Sequence, residues 1–118
     1  MKTIKFVLVL LLTTMIGVSL SSCKKCKGED PTARIMNNGT NKASVQIKTS
    51  GGNTVNINNV DPGTASPYAS YAAGIVTFTI TVNNNDYVDT VEMSQCFDYD
   101  IAINSQNIIT TTPIDRND

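Results

Sequence analysis

The 118-residue chain has no histidine and no tryptophan, only 6% aromatic residues and only 16% charged residues. Without histidine, the usual general base near neutral pH and the commonest metal ligand are both missing. Without tryptophan, an aromatic binding platform has to be built from tyrosine and phenylalanine. With no histidine to activate a serine or cysteine, nucleophilic catalysis has no obvious starting point. The sequence predicts no catalytic residue, no metal and no cofactor. The longest apolar run, Phe6 to Leu20, is fifteen residues, against the roughly 20 that a membrane-spanning helix needs.

That run defines the N-terminus. Lys2 and Lys5 precede it, and only Thr13, Thr14, Gly17 and Ser19 interrupt it before the small-residue exit Leu20-Ser21-Ser22-Cys23. A positive start, a short apolar core and a small-residue exit predict a cleaved signal peptide over residues 1–22. The exit resembles the lipobox of bacterial lipoproteins. The resemblance implies a diacylglycerol thioether and fatty acylation of the palmitate type on Cys23, which becomes the first mature residue. Cys26 does not fit the pattern, because Lys24 and Lys25 occupy its small-residue positions. Each buried lipid CH₂ contributes ~0.8 kcal/mol, so two or three chains form a stable membrane anchor. Lys24 and Lys25 stand where an aspartate retention signal would hold a lipoprotein at the inner membrane, which implies the outer membrane. Glu29-Asp30 resembles the acidic signals of surface-displayed lipoproteins, which implies the cell surface.

Residues 23–118 carry seven basic and ten acidic side chains, a net charge of −3. There is no basic footprint, and nucleic acid is not an expected partner. Residues 23–32 are polar and read as a lipidated tether, and 33–118 as one domain. With Cys23 acylated, Cys26 and Cys96 are left either as a disulfide in an oxidising compartment or as two separate thiols. A bridge across 70 residues would contribute about 4 kcal/mol in the chain-entropy picture.

The domain pattern is period two. Val45 and Ile47 alternate with Ser44, Gln46 and Lys48, and Val55 and Ile57 alternate with asparagines. Val76, Phe78, Ile80 and Val82 share one face opposite three threonines; Phe97, Tyr99, Ile101 and Ile103 share another opposite Asp98, Asp100 and Ala102. Turn signals recur every eight to twelve residues, from Asn37-Asn38-Gly39 to Ser105-Gln106-Asn107. The prediction is an all-β fold: a small antiparallel Ig-like β-sandwich of six to eight strands.

A longer resemblance covers most of residues 33–103. Arg34 and Asn37, then Gly63, Ser66 and Tyr68, then Ala73-Gly74 and Tyr99 follow the order seen in an uncharacterised β-sandwich family of bacterial extracytoplasmic lipoproteins. Cys96 is a departure from that pattern. The resemblance implies fold and location, and carries no activity. On the residues alone, Gly63 and Gly74 suit turns with positive φ, and Tyr68 and Tyr99 suit plugs at the sandwich ends.

Asp86, Asp89, Glu92, Asp98 and Asp100 are the candidate acids, expected together on a solvated face. Asp98 and Asp100 share a strand face about 7 Å apart, the best placed for a catalytic pair or a calcium site. Tyr71 and Tyr87 are the candidate ligand contacts of a carbohydrate-binding surface. Asp89-Thr90-Val91 matches a bacterial O-glycosylation pattern at Thr90, in a strand setting that should limit access. Asn38-Gly39-Thr40 matches an N-glycan acceptor and reads equally as a turn. The leading expectation is a non-enzymatic envelope lipoprotein that binds a protein partner by strand addition. The alternative is a carbohydrate-binding surface module.

Overall fold

The computed structural model describes residues 26–117. The predicted signal peptide and Cys23 lie outside these residues. The described chain is all-β: β1 (Thr32–Asn38), β2 (Ala43–Lys48), β3 (Thr54–Val60), β4 (Thr64–Ala65), β5 (Ala69–Ser70), β6 (Gly74–Val82), β7 (Asn85–Met93), β8 (Phe97–Asn104) and β9 (Ile109–Asp115). Nine strands exceed the six to eight expected, because the segment from Thr64 to Ser70 forms two two-residue strands on either side of a break.

Two sheets face each other. One runs β4-β1-β8-β9, with β5 also on β1; the other runs β3-β2-β6-β7. Pairing is antiparallel except between β1 and β8, which lie parallel from Thr32↔Asp98 to Asn38↔Asn104. That pair corrects the all-antiparallel expectation. It also means that β1 and β8 start at one end of the sandwich and finish at the other.

The predicted faces are the observed ones for β2, β6 and β8. Val45, Ile47, Val76, Phe78, Ile80, Ile101 and Ile103 are buried between the sheets, joined by Ile35 from β1. Each fully buried aliphatic or phenylalanine side chain contributes about 1.5–3 kcal/mol, so this interleaved set is the main source of stability. In β3 the alternation is only half used. Val55 remains 38% exposed, since β3 is an edge strand and the opposing sheet does not cover its start.

Asparagine shapes the turns. Asn83 and Asn84 both have positive φ and form the two-residue link between Val82 and its partner Asn85, a geometry asparagine tolerates better than most residues. Asn59, also at positive φ, sits in a bulge where the β2–β3 register shifts between Ala43 and Val45. Gly74 is needed for two reasons: its φ is +125, and a Cβ there would meet Ser50 Cβ at 2.8 Å.

Candidate functional site

The structure has two chemically distinct ends. At the first lie the starts of β1 and β8 and the end of β9. Cys26 and Cys96 are joined there as a disulfide, with Cα atoms 5.7 Å apart. Cys96 is held at φ 65, its N–H donating to Glu29 O at 3.0 Å and its carbonyl accepting from Arg116 N at 2.9 Å. Arg116 gathers the rest: Nη1 donates to Glu29 Oε1 at 3.0 Å and Nη2 to the Asp30 carbonyl at 2.6 Å. Its Nε is 3.2 Å from Asp98 Oδ1, an ion contact whose N–H is not aimed along a hydrogen bond. Pro31 is buried, and its carbonyl accepts from Tyr71 N. Residues 26–31 are therefore tied to the fold by the disulfide, by Glu29 and Asp30 hydrogen bonds and by buried Pro31, while 27–30 stay exposed. Strand structure begins at Thr32, and residues 23–25 of the expected lipidated tether lie outside the described residues.

Next along the outer face of the first sheet is a three-residue ionic cluster. Arg34 and Asp100 are direct partners across β1 and β8, and the guanidinium grips the carboxylate through Nε at 2.9 Å and Nη2 at 3.3 Å. Tyr68 OH donates to the same carboxylate at 2.6 Å, and Arg34 stacks 4.8 Å from its ring centroid, a cation–π contact. Tyr68 is 42% exposed, so it is a surface brace and not the predicted plug. Partial burial pushes the Asp100 carboxyl up, but hydrogen bonds from Arg34 and Tyr68 outweigh that and hold it below the usual carboxylate range. A catalytic acid would need the opposite shift. Asp98 accepts from Thr32 Oγ1 at 2.5 Å and contacts Arg116. The candidate pair Asp98/Asp100 is thus engaged in holding β1, β8 and the turn after β9 together.

The remaining acids are elsewhere. Asp86, Asp89 and Glu92 lie on β7, in the other sheet, so the five carboxylates do not form the single face expected. No cluster of three or more potential metal ligands occurs among the described residues. Asp89 aligns with buried Phe78 and so turns inward at the margin, where it accepts from Thr111 Oγ1 at 2.9 Å. Thr90 points outward and is exposed, more accessible than its mid-strand position suggested.

The second end is built from amides. Asn37 is 1% exposed. Its Nδ2 donates to the carbonyls of Asn41 and Val60 at 2.8 Å, and its Oδ1 accepts from Gly39 N at 3.0 Å. One side chain thereby ties β1, the β1–β2 loop and the end of β3. Gly63, at φ +76, donates its N–H to Asn37 O at 2.7 Å. Asn104 Oδ1 accepts from Gln106 N and Ile108 N. Asn107 Nδ2 donates to Tyr87 OH at 3.1 Å. Between these groups is a cleft of about 40 Å³, lined by Asn37, Asn41, Asn104, Ser105 and Asn107 over Val82 and Ile103.

The tyrosines are thus redistributed. Tyr71 is 5% exposed, because β5 folds it under the first sheet, and burial pushes its hydroxyl pKa up. Tyr87 is half-buried against the core. Neither offers the open ring face expected of a sugar platform. Tyr99 is a buried plug as predicted, its hydroxyl accepting from Ser94 N.

The four sheet edges differ in protection. β9 carries Pro113, which cannot donate to an added strand. β7 carries the inward Asp89, a recognised guard against edge pairing. β4 and β5 are too short to template a partner. β3, with sequence TVNINNV, has no proline and no charge, and its bulge affects only the end near Asn59. Among the described residues, Thr54 to Ile57 is consequently an unpaired, neutral, regular edge.

The residues behind the lipoprotein-domain resemblance have structural jobs. Ser66 exchanges hydrogen bonds with the Ile35 backbone through both its N–H and its hydroxyl oxygen, docking the β4–β5 segment beside Arg34 and Asn37. No protein-family model matches the chain, and no curated protein is significantly similar to it. Sequence reasoning did not join Arg34, Tyr68, Asp98, Asp100 and Arg116. The signal was the arginine and aspartate at equal depth in two alternating strands, which becomes readable only once β1 and β8 are known to pair.

Proposed function

We propose that this chain is a lipid-anchored protein of the bacterial cell envelope, held in the outer membrane through Cys23, whose sandwich is a non-enzymatic binding module. Its partner is a protein that adds a neutral extended strand to β3. The observation that carries the binding reading is the contrast among edges: among the described residues, β3 is the long edge without a proline or an inward charge, its bulge confined to the end near Asn59. An added strand would take main-chain hydrogen bonds from the outward groups of Thr54–Ile57 and pack beside exposed Val55. The extracytoplasmic reading is supported by the Cys26–Cys96 bridge, since such bonds persist in oxidising compartments. The absence of enzymatic work is supported by the pairing of Asp98 and Asp100 with arginines.

The bridge also has a consequence for orientation. Only Lys24 and Lys25 separate Cys23 from Cys26 in the sequence. Acylation of Cys23 would place the disulfide end against the bilayer and the amide end away from it. The intact mass of the protein extracted from native membranes tests the anchor: residues 23–118 plus acyl glycerol are expected, and an unlipidated mass would remove it. Amide hydrogen exchange tests β3. Thr54–Ile57 should exchange more slowly in native membranes than in purified detergent micelles, and equal rates would rule out a strand partner there.

A further inference from the structure

We infer that the amide cleft between the β1–β2 loop and the β8–β9 turn is a binding site for a neutral, hydroxyl-rich ligand of the saccharide class, engaged by Asn104 and Asn107. The inference stands on a different surface from the β3 edge and holds or fails independently of it. An asparagine side chain offers two donors and a two-lone-pair acceptor. In this cleft those capacities are divided in a particular way. Asn104 spends its Oδ1 on two backbone N–H groups of its own turn, which fixes the amide plane, while its Nδ2 has no hydrogen-bond partner among the described residues. Asn107 is the complement: its Nδ2 is committed to Tyr87 OH, and its Oδ1 has no partner among the described residues. A donor and an acceptor, each held in place by the other half of its own amide, thus belong to residues that border one cleft, with Ser105 also in its lining.

Vicinal hydroxyls, each able to donate and accept, match such a pair. An anion would find no cation in the lining, and a cation no carboxylate, since every lining side chain is neutral. The nearby ion pair, Lys42–Asp61 at 3.8 Å, is compensated within itself. Size narrows the ligand further. A cleft of about 40 Å³ has room for roughly three waters, at 10–15 Å³ of such space each. It therefore admits one edge of a sugar ring with two hydroxyls and not the whole ring. Val82 and Ile103 close the cleft from below and are themselves buried, so recognition rests on the amides at its rim. The expected affinity is millimolar for a single unit, since few ligand atoms are enclosed, and an array of repeated units would gain through multivalency.

The test is a titration of the full chain in detergent micelles, ¹⁵N-labelled, with neutral oligosaccharides of glucose, galactose and mannose, read at the asparagine side-chain amides. Saturable shifts of the Asn104 Nδ2 and Asn107 Nδ2 signals by at least one of the three are expected. Asn107→Gly, which keeps the positive φ of 62 that the turn needs, should weaken that binding about fivefold or more, the loss of roughly one hydrogen bond. Asn104→Ala risks unfolding its turn, so Ser105→Ala, which holds no turn hydrogen bond among the described residues, serves as the second variant and should weaken binding by a smaller factor. Silence of both amides at tens of millimolar of all three sugars overturns the inference. So do shifts that both variants leave unchanged.

Discussion

The two ends of this sandwich solve the same problem, closing a β-core against water, with opposite chemistry. At the disulfide end, closure depends on a covalent bond and on Arg116, which reaches Glu29, Asp30 and Asp98 from the last turn of the chain. At the amide end it depends on Asn37, Asn104 and Asn107, which satisfy backbone groups without any charge. The difference follows from chain path. Segments that meet at the disulfide end are far apart in sequence, residues 26–31 against 96 and 116, and the unfolded chain gains much entropy if they part. Segments at the amide end are closed partly by local turn bonds, at Gly39, Gln106 and Ile108, and partly by single asparagines that reach Val60 and Tyr87. Under the proposed anchoring, the covalent end adjoins the membrane and the neutral end carries the proposed ligand cleft.

The comparison breaks most visibly with a reductant. Removing the bridge, by reduction or by Cys26→Ser with Cys96→Ser, should cost about 4 kcal/mol, or roughly 20 °C in thermal midpoint for a domain of this size. Calorimetry with and without reductant checks this, and the double variant should be insensitive to reductant. Next in size is Asn37→Ala. It leaves the Gly39 N–H and two carbonyls without their buried partner, an expected cost of about 3 kcal/mol. That loss should be the same in reduced and oxidised protein, because the two ends share no residues. A reductant-dependent loss on Asn37→Ala would mean that the ends are coupled and the contrast is false.

How much of this could be read beforehand depends on whether the deciding contact was local. The alternation in "IVTFTITV" and "FDYDIAI" fixes which side chains are buried whatever the topology, and Val76, Phe78, Ile101 and Ile103 are all where the pattern puts them. Val55 shares that pattern and is exposed, because coverage depends on the strand's place in the sheet and not on its own residues. Tyr68 and Tyr71 went the opposite way from expectation for a similar reason. They lie on either side of the two-residue β5, and a one-residue difference in such a short element decides which turns inward. The amide cleft was visible only as turn-forming asparagines. Nothing in "INSQN" says that a neighbouring loop bearing Gly39 will close over it.

A smaller effect sharpens the contrast by testing how far the ionic end extends. Val55→Lys, on the open edge, should change stability by less than about 0.5 kcal/mol yet abolish the membrane-dependent protection of Thr54–Ile57, since a lysine guards an edge. The Arg34–Asp100–Tyr68 cluster is comparably modest: its side chains are 32% and 17% exposed at the ion pair, so solvent screening keeps its contribution small. Its value lies in the pH at which it fails. The Asp100 carboxyl is lowered in the folded state, so its contribution is complete above the unfolded aspartate pKa of about 3.9 and is lost as pH falls through the lower folded value. Tyr68 is raised, first by its hydrogen bond to Asp100 and then by burial, so its contribution is complete below about 10 and is lost as pH rises through the higher folded value. Urea titrations of the wild type should therefore show a loss in the acid limb that Asp100→Asn removes, and a loss in the alkaline limb that Tyr68→Phe removes. Neither variant should alter the reductant response or the cost of Asn37→Ala. If Asp100→Asn changes the reductant response, the cluster belongs to the disulfide end as one unit reaching from Arg116 to Tyr68, and the neutral pole is the only part of the sandwich that stands apart from it.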